Sequence, residues 1–343
     1  MKGPFPARAA EGTLRLLTTA HLLPSAAMST ERPSLLRRWR WPIALLVLLL
    51  FAEIFLRTYY GFCDTVLLRT DPHYEYIAQP DQDRFRFRQH IRYNSLSMRS
   101  EEPDSTAVIL LGCGDSVING GVLTDQDSLA TTLLTDQLSR IYRRRVQFLN
   151  VSAGSWGPDN CLAYLEHAKV PRPTAIVLFV SSHDAHDNMS FKNVVGVRKN
   201  FPKEQYGSAL VELIDRYVIP RIWKQPTNTS SELGIDKGGD GFNTGFDGLK
   251  MFADSIGVPL VMYLHAEGSE IKAGQYNAQG QEIIRFAEAH GVHLIKDLDH
   301  GMSRDLLRDN IHPNEIGQRR IAAIMMEDIL RQPAAFALEL RPE

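Results

Sequence analysis

Five short, mostly apolar runs alternate with helix-like patterns along the second two thirds of the chain. This rhythm is the strongest constraint on what it can fold into. The runs are Thr106–Leu111, Val146–Val151, Thr174–Val180, Val258–Leu264 and Val292–Ile295, each of strand length. Between them, Asp127-Ser128 caps a helical pattern through Tyr142, and Pro158-Asp159 opens another helix. Gly241–Ile256 and Gln279–His290 read as helices, and Pro313–Arg331 makes the last one. Strands that read as continuous apolar runs are buried on both faces. Alternation with helices therefore predicts an α/β fold: a three-layer α/β/α sandwich around a central parallel five-stranded sheet with right-handed crossovers.

In an open parallel sheet, ligands bind outside the carboxyl ends of the strands. The residues just after the five runs can therefore be read together. They are Gly114-Asp115-Ser116, Ser152-Ala153-Gly154, Ser181-Ser182-His183-Asp184 and His265-Ala266-Glu267, followed by the loop with Asp309 and His312. Such a rim has the chain order of a Ser…Asp…His nucleophilic site. Ser116 needs a base, and His312 is the natural candidate. Asp309, three residues earlier, can hold the imidazole tautomer and stabilise the imidazolium. Backbone N–H groups of Ser116 and Gly154 are candidates for an oxyanion hole. Asp115, Trp156, Asp184, Asn188 and His265 are candidate substrate-binding residues on the same rim. The competing reading of Asp309 and His312 is a helix cap with an incidental histidine.

The chain resembles the SGNH, or GDSL-type, hydrolases over roughly residues 106–331. Gly114-Asp115-Ser116 matches the block that carries that family's nucleophile. Gly154, within Val151-Ser-Ala-Gly-Ser-Trp-Gly157, matches the oxyanion glycine, and Asp309-x-x-His312-Pro313 matches the final block. Asn94-Ser-Leu-Ser-Met-Arg99 is similar to a segment preceding the domain in membrane-anchored relatives. One block departs: where the family has Gly-x-Asn-Asp, this chain reads Ser181-Ser-His-Asp184, so His183 takes the place of the oxyanion asparagine. An imidazole N–H can donate as an amide does, and Asn188 is a nearby substitute. The resemblance implies an acyl-ester hydrolase with no cofactor. A metal cluster of His183, His186 and Asp187 lacks a convincing further ligand, so no metal is expected.

Pro42–Leu56 is the most hydrophobic segment. Counted from Trp39 to Tyr60, it reaches the length that crosses a bilayer, with Trp39, Trp41, Tyr59 and Tyr60 at the interfaces. Arg32, Arg37, Arg38 and Arg40 precede it and only Arg57 follows closely. The asymmetry places the N-terminus in the cytoplasm and the body of the protein on the extracytoplasmic, periplasmic side. A cleaved signal peptide, a buried core helix and a re-entrant segment are the alternatives. No small-x-small site follows the segment.

The expected organisation is a cytoplasmic extension at 1–38, starting at Met1 or Met28, an anchor at 39–60 and a linker at 61–105. A hydrolase-like domain then covers 106–331 with an insertion at 189–240, loop-like over 225–239, before a tail at 332–343. Within the linker, Arg84-Phe-Arg-Phe-Arg88 reads as a short half-buried edge strand. A net charge of −2 argues against a dedicated nucleic-acid binder, and three cysteines cannot form a disulfide framework. The expected partners are an acylated glycan or small ester, the membrane, and envelope polysaccharide assembly proteins. Three functions fit: a serine esterase cleaving acyl, above all acetyl, esters of a glycan; a polysaccharide O-acetyltransferase with the same triad; or a non-catalytic glycan-binding component that keeps the fold.

Overall fold

The computed structural model describes residues 35–222, 237, 239 and 241–338. Most of the expected extension at 1–38, most of the 225–239 loop and the end of the tail lie outside the described residues. The chain divides into two units, residues 1–48 and 49–343. In the first, the described residues are helical; they open α1 (Leu35–Tyr60). One helical stretch, Trp39–Tyr60, is long and apolar enough to cross a membrane, and none of it is buried.

The second unit begins with the last turns of α1 and two small hairpins. β1 (Leu68–Asp71) pairs antiparallel with β2 (Glu75–Ala78), and β3 (Gln82–Arg86) with β4 (Gln89–Tyr93). The Arg-Phe alternation does form a strand, which ends at Arg86. Phe87 and Arg88 take positive φ values of 50° and 65° to make the hairpin turn. Arg86 departs from the half-buried pattern: its side chain is 1% exposed because Glu212 and Tyr217 receive its guanidinium inside the protein.

The main sheet is five-stranded and wholly parallel. Its strands are β5 (Val108–Gly114), β6 (Val146–Ser152), β7 (Ala175–Ser181), β8 (Leu260–His265) and β9 (His293–Lys296), in the order β6-β5-β7-β8-β9. On one face lie α3 (Ala130–Tyr142) and α10 (Glu315–Arg331), burying Leu134, Leu138, Ile321 and Met325 against Phe148 and Phe179. On the other lie α4 (Pro158–His167), α7 (Gly245–Ser255) and α9 (Ala278–His290), with Trp156, Tyr164, Phe246 and Ile283 in the core. Each fully buried aliphatic or Phe side chain contributes about 1.5–3 kcal/mol, so either face supplies a substantial core.

Helix ends depart from the sequence pattern for local reasons. Asp125, not Asp127, accepts from a backbone N–H, and Gln126–Ser128 is a 3-10 turn. Leu129 is buried and α3 starts only after it. α10 starts at Glu315 because Asn314 accepts from the N–H groups of Ile316 and Gly317, leaving Pro313 in the approach. Asn277 caps α9 in the same way. The remaining α-helices among the described residues are α2 (Ser116–Asn119), α5 (Ala209–Leu213), α6 (Ile219–Ile222) and α8 (Gly268–Ala273); a π-helical turn, Ile214–Val218, joins α5 to α6.

The strand order puts the chain reversal between β5 and β7. The crossover from β5 runs outward to β6, then the chain returns to the other side of β5. A crevice must open between the two diverging connections, and ligand sites of such sheets form there. Asp115 and Ser116 follow β5; Ser182, His183 and Asp184 follow β7.

Candidate active site

β5 ends on glycine for a steric reason. A Cβ on Gly114 would lie 2.7 Å from the Phe179 carbonyl oxygen, and one on Gly112 would lie 2.7 Å from the Phe148 ring. Beyond Gly114, Asp115 turns its carboxylate back to accept from the Val117 N–H at 2.8 Å, which starts the single turn of α2 with Ser116 as its first residue. Gly120, at φ 72°, ends that turn. Arg99 holds the chain beyond: its buried guanidinium donates to the carbonyls of Asn119, Gly121 and Thr124. Arg99 belongs to the Asn94–Arg99 segment noted above, but its role is visible only in three dimensions.

The loop before α10 brings the other two groups. Asp309 Oδ1 accepts the N–H groups of Ile311 at 2.9 Å and His312 at 2.8 Å, folding the loop into a tight turn. His312 Nδ1 lies 2.8 Å from Asp309 Oδ2, and His312 Nε2 lies 2.9 Å from Ser116 Oγ. The Asp309 carboxyl sits below its ordinary range. Burial works against this, but the two N–H donors and the imidazole outweigh it. Behind the loop, fully buried His265 places Nδ1 2.7 Å from Asp297 Oδ2 and Nε2 2.8 Å from the Ile311 carbonyl oxygen. His265 thus supports the loop and does not line the cavity that holds Ser116. Burial opposes its charge, yet Asp297 and the Ile311 carbonyl raise its pKa above 6.5.

Ser116, Gly154, Asp309 and His312 share a cavity of about 290 Å³. A Cβ on Gly154 would meet nothing within 4 Å among the described residues, so this glycine leaves open space; its carbonyl receives the Tyr76 hydroxyl at 2.7 Å. The wall away from the triad is largely apolar, with Val66, Leu68, Phe87, Val122 and Phe201, and it includes Arg86 and Tyr217. Tyr217 is not among the sequence candidates, and Arg86 enters there only as part of an edge strand. The alternation in Arg84–Arg88 signals an edge strand, and the pairing that turns Arg86 inward is invisible to it because Glu212 lies 126 residues away.

Other candidates go elsewhere. Trp156 is buried and donates its indole N–H to the Tyr76 carbonyl at 2.8 Å, so it packs the core and does not line the cavity. Asn188 donates to the carbonyls of His186 and Gly241. Asp184 is buried and accepts from the Ser181 N–H at 2.7 Å. His183 does not line the cavity either. Its Nδ1 lies 3.2 Å from Glu267 Oε1, and its Nε2 is ringed by Asp184 Oδ1 at 3.8 Å and by Asp115 Oδ2 and Asp187 Oδ2 at 3.9 Å. Burial opposes the imidazolium, but Asp184, Glu267, Asp115 and Asp187 push its pKa up to about 10. His186 points away, to Glu282 Oε2 at 2.9 Å. The histidine–aspartate cluster considered from sequence is therefore rearranged: Asp115 and Asp184 join His183, and His186 leaves.

No family model and no curated protein matches the chain. Several solved structures are similar to it. A lipase/acylhydrolase from Enterococcus faecalis is 12% identical with a TM-score of 0.41, the match covering 68% of this chain and 99% of that one. A two-domain esterase active on acetylated mannans is 10% identical with a TM-score of 0.42, the match covering 69% of this chain and 51% of that one. An acetyl xylan esterase from Geobacillus stearothermophilus is 12% identical with a TM-score of 0.37, the match covering 66% and 97%.

Proposed function

We propose that this protein is a serine esterase, anchored in a membrane by α1, that cleaves acyl esters of an extracytoplasmic glycan. The observation that carries the reading is the unbroken relay from Ser116 Oγ through the His312 ring to Asp309, opening into a cavity at the carboxyl ends of the strands. Ser116 Oγ attacks the ester carbonyl carbon while His312 Nε2 takes its proton. The tetrahedral intermediate collapses, the alcohol leaves with that proton, and Ser116 carries the acyl group. Water then gives a proton to His312 and attacks the acyl-enzyme. Collapse returns the proton to Ser116 Oγ and releases the acid. Asp309 keeps the Nδ1 proton in place, so that Nε2 is the basic nitrogen.

The N–H groups of Ser116 and Gly154 are the oxyanion donors in this reading; Asn119, another residue of the cavity, is already committed to Ser152 and Tyr93. Acetyl is the favoured acyl group, from the resemblance set out above. The membrane position gives the substrate a location. Arg86 donates to the Gly61 carbonyl at 2.9 Å and Phe87 N–H to the Tyr60 carbonyl at 2.8 Å, so the cavity wall is tied to the outer end of α1. A surface-bound or lipid-linked glycan meets that geometry.

The test uses full-length protein in detergent, wild type beside Ser116→Ala, with a short-chain acyl ester and a serine-directed phosphonate. Turnover and labelling that vanish in Ser116→Ala support the reading. A folded wild type that neither turns over nor labels overturns it. Adding an acceptor glycan with labelled acyl donor separates transfer from hydrolysis.

A further inference from the structure

We propose that Asp115, His183, Asp184 and Asp187 form a binding site for one divalent transition-metal ion in the crevice between β5 and β7. Three carboxylate oxygens lie 3.8–3.9 Å from His183 Nε2. That is too long for a hydrogen bond, whose N···O distance is about 2.7–3.2 Å. It is close to the spacing of donors that share an ion: bonds of about 2.1 Å in tetrahedral geometry put ligand atoms about 3.4 Å apart. One donor atom each from Asp115, His183 and Asp184 lies within 4.8 Å of the other two.

Two further observations point the same way. Asp184 Oδ1 is buried and has no hydrogen-bond partner among the described residues, a costly state for a carboxylate oxygen, and it faces His183 Nε2. The other ring nitrogen, Nδ1, lies 3.2 Å from Glu267 Oε1. A carboxylate bonded to the far nitrogen is the usual arrangement behind a metal-binding histidine, because it fixes the tautomer and raises ligand basicity. One imidazole with three carboxylates suits zinc, manganese or iron(II) better than magnesium or calcium, which take oxygen ligands. The ion would lie beside the nucleophile, since Asp115 Oδ2 is 3.4 Å from Ser116 Oγ.

The test is binding, measured without reference to turnover. Full-length protein in detergent, stripped with a chelator and carrying no histidine tag, is titrated with Zn²⁺ and with Co²⁺. The Ser116→Ala variant is run in parallel, so that a failed esterase reading leaves this result standing. The expected result is one equivalent bound and a visible Co²⁺ ligand-field spectrum. Asp184→Asn should abolish it, and Glu267→Gln should weaken affinity about 10- to 100-fold. Asp187→Asn, at the more exposed rim, serves where Asp184→Asn fails to fold. No saturable binding by folded wild type, or binding unchanged in Asp187→Asn and Glu267→Gln, overturns the proposal.

A second inference comes from the other end of the molecule and rests on the membrane-anchor reading. Glu53, on α1 seven residues before Tyr60, accepts from Ser208 Oγ and from the N–H groups of Ala209 and Leu210, and Arg57 donates to the Gly207 carbonyl. At a rise of about 1.5 Å per residue, this places the start of α5 roughly 10 Å along α1 from its outer end. From there, Val211, Ile214, Ile219 and Ile222 are exposed, while Glu212 turns inward to Arg86. We infer that residues 209–222 lie in the headgroup boundary of the same bilayer, apolar side down. A nitroxide at Ile222→Cys, in a Cys63→Ser background reconstituted in vesicles, should show high oxygen and low Ni-chelate accessibility, with Glu288→Cys showing the reverse. An aqueous profile at Ile222 in protein that resists carbonate extraction overturns it. Loss of the protein from the vesicles would count against the anchor instead.

Discussion

Asp309→Asn is the substitution that separates the two tasks of one carboxylate. Oδ1 accepts the N–H groups of Ile311 and His312, while Oδ2 meets His312 Nδ1 at 2.8 Å. An asparagine keeps a carbonyl oxygen for the two backbone donors, so the loop should hold its shape. The amide NH₂ then faces Nδ1, and two donors cannot meet. The ring must carry its proton on Nε2, which leaves it unable to accept from Ser116 Oγ. The expected loss is about 10⁴-fold in kcat, the scale of a wrong tautomer in such triads. At 1.36 kcal/mol per decade this is roughly 5.5 kcal/mol of transition-state stabilisation. Stability should change by less than about 1 kcal/mol, because the N–H acceptor remains. Asp309→Ala should lose about 1 kcal/mol more, modest because the Asp309 side chain is 32% exposed. The assay is kcat and KM on a short-chain ester beside thermal unfolding for both variants. If Asp309→Asn keeps more than a tenth of wild-type kcat, the relay is not the catalytic device.

Four further outcomes are expected. Glu212→Ala leaves Arg86 buried without its partner and should cost about 3–5 kcal/mol in chemical denaturation, since both side chains are at most 1% exposed. Arg99→Ala strands the carbonyls of Asn119, Gly121 and Thr124 and should lower both the unfolding midpoint and kcat; a midpoint within a degree of wild type would contradict its placement. Gly154→Ala should fold normally, because its Cβ meets open space, yet lower kcat/KM by narrowing the cavity, as steady-state kinetics would show. His265 is raised above 6.5 in the folded state, so its pairing with Asp297 stabilises fully below that pH and is lost as pH rises through the folded value. The protection factors of the Ile311 and His312 amides, corrected for intrinsic base-catalysed exchange, should therefore fall at alkaline pH in wild type and stay flat in His265→Gln.

The α/β rhythm, the run at Trp39–Tyr60 and the order Ser116…Asp309…His312 were legible in the sequence because each depends on local periodicity or on chain order. The positions of the five sheet strands and of α3, α4, α7, α9 and α10 follow from the same patterns, and their ends shift by a few residues where a cap such as Asn314 or a buried residue such as Leu129 decides the start. Which rim residues face the cavity was not legible. Trp156 and Asp184 follow strands and His265 ends one, yet burial and one or two hydrogen bonds turn each inward. The ring of carboxylates around His183, the pairing of Arg86 with Glu212 and the grip of Arg99 join residues from separate elements. Chain order and periodicity determine which residues arrive at the end of a strand. Only packing across the β5–β7 crevice determines which of them meet, because those contacts depend on distances that sequence separation does not encode.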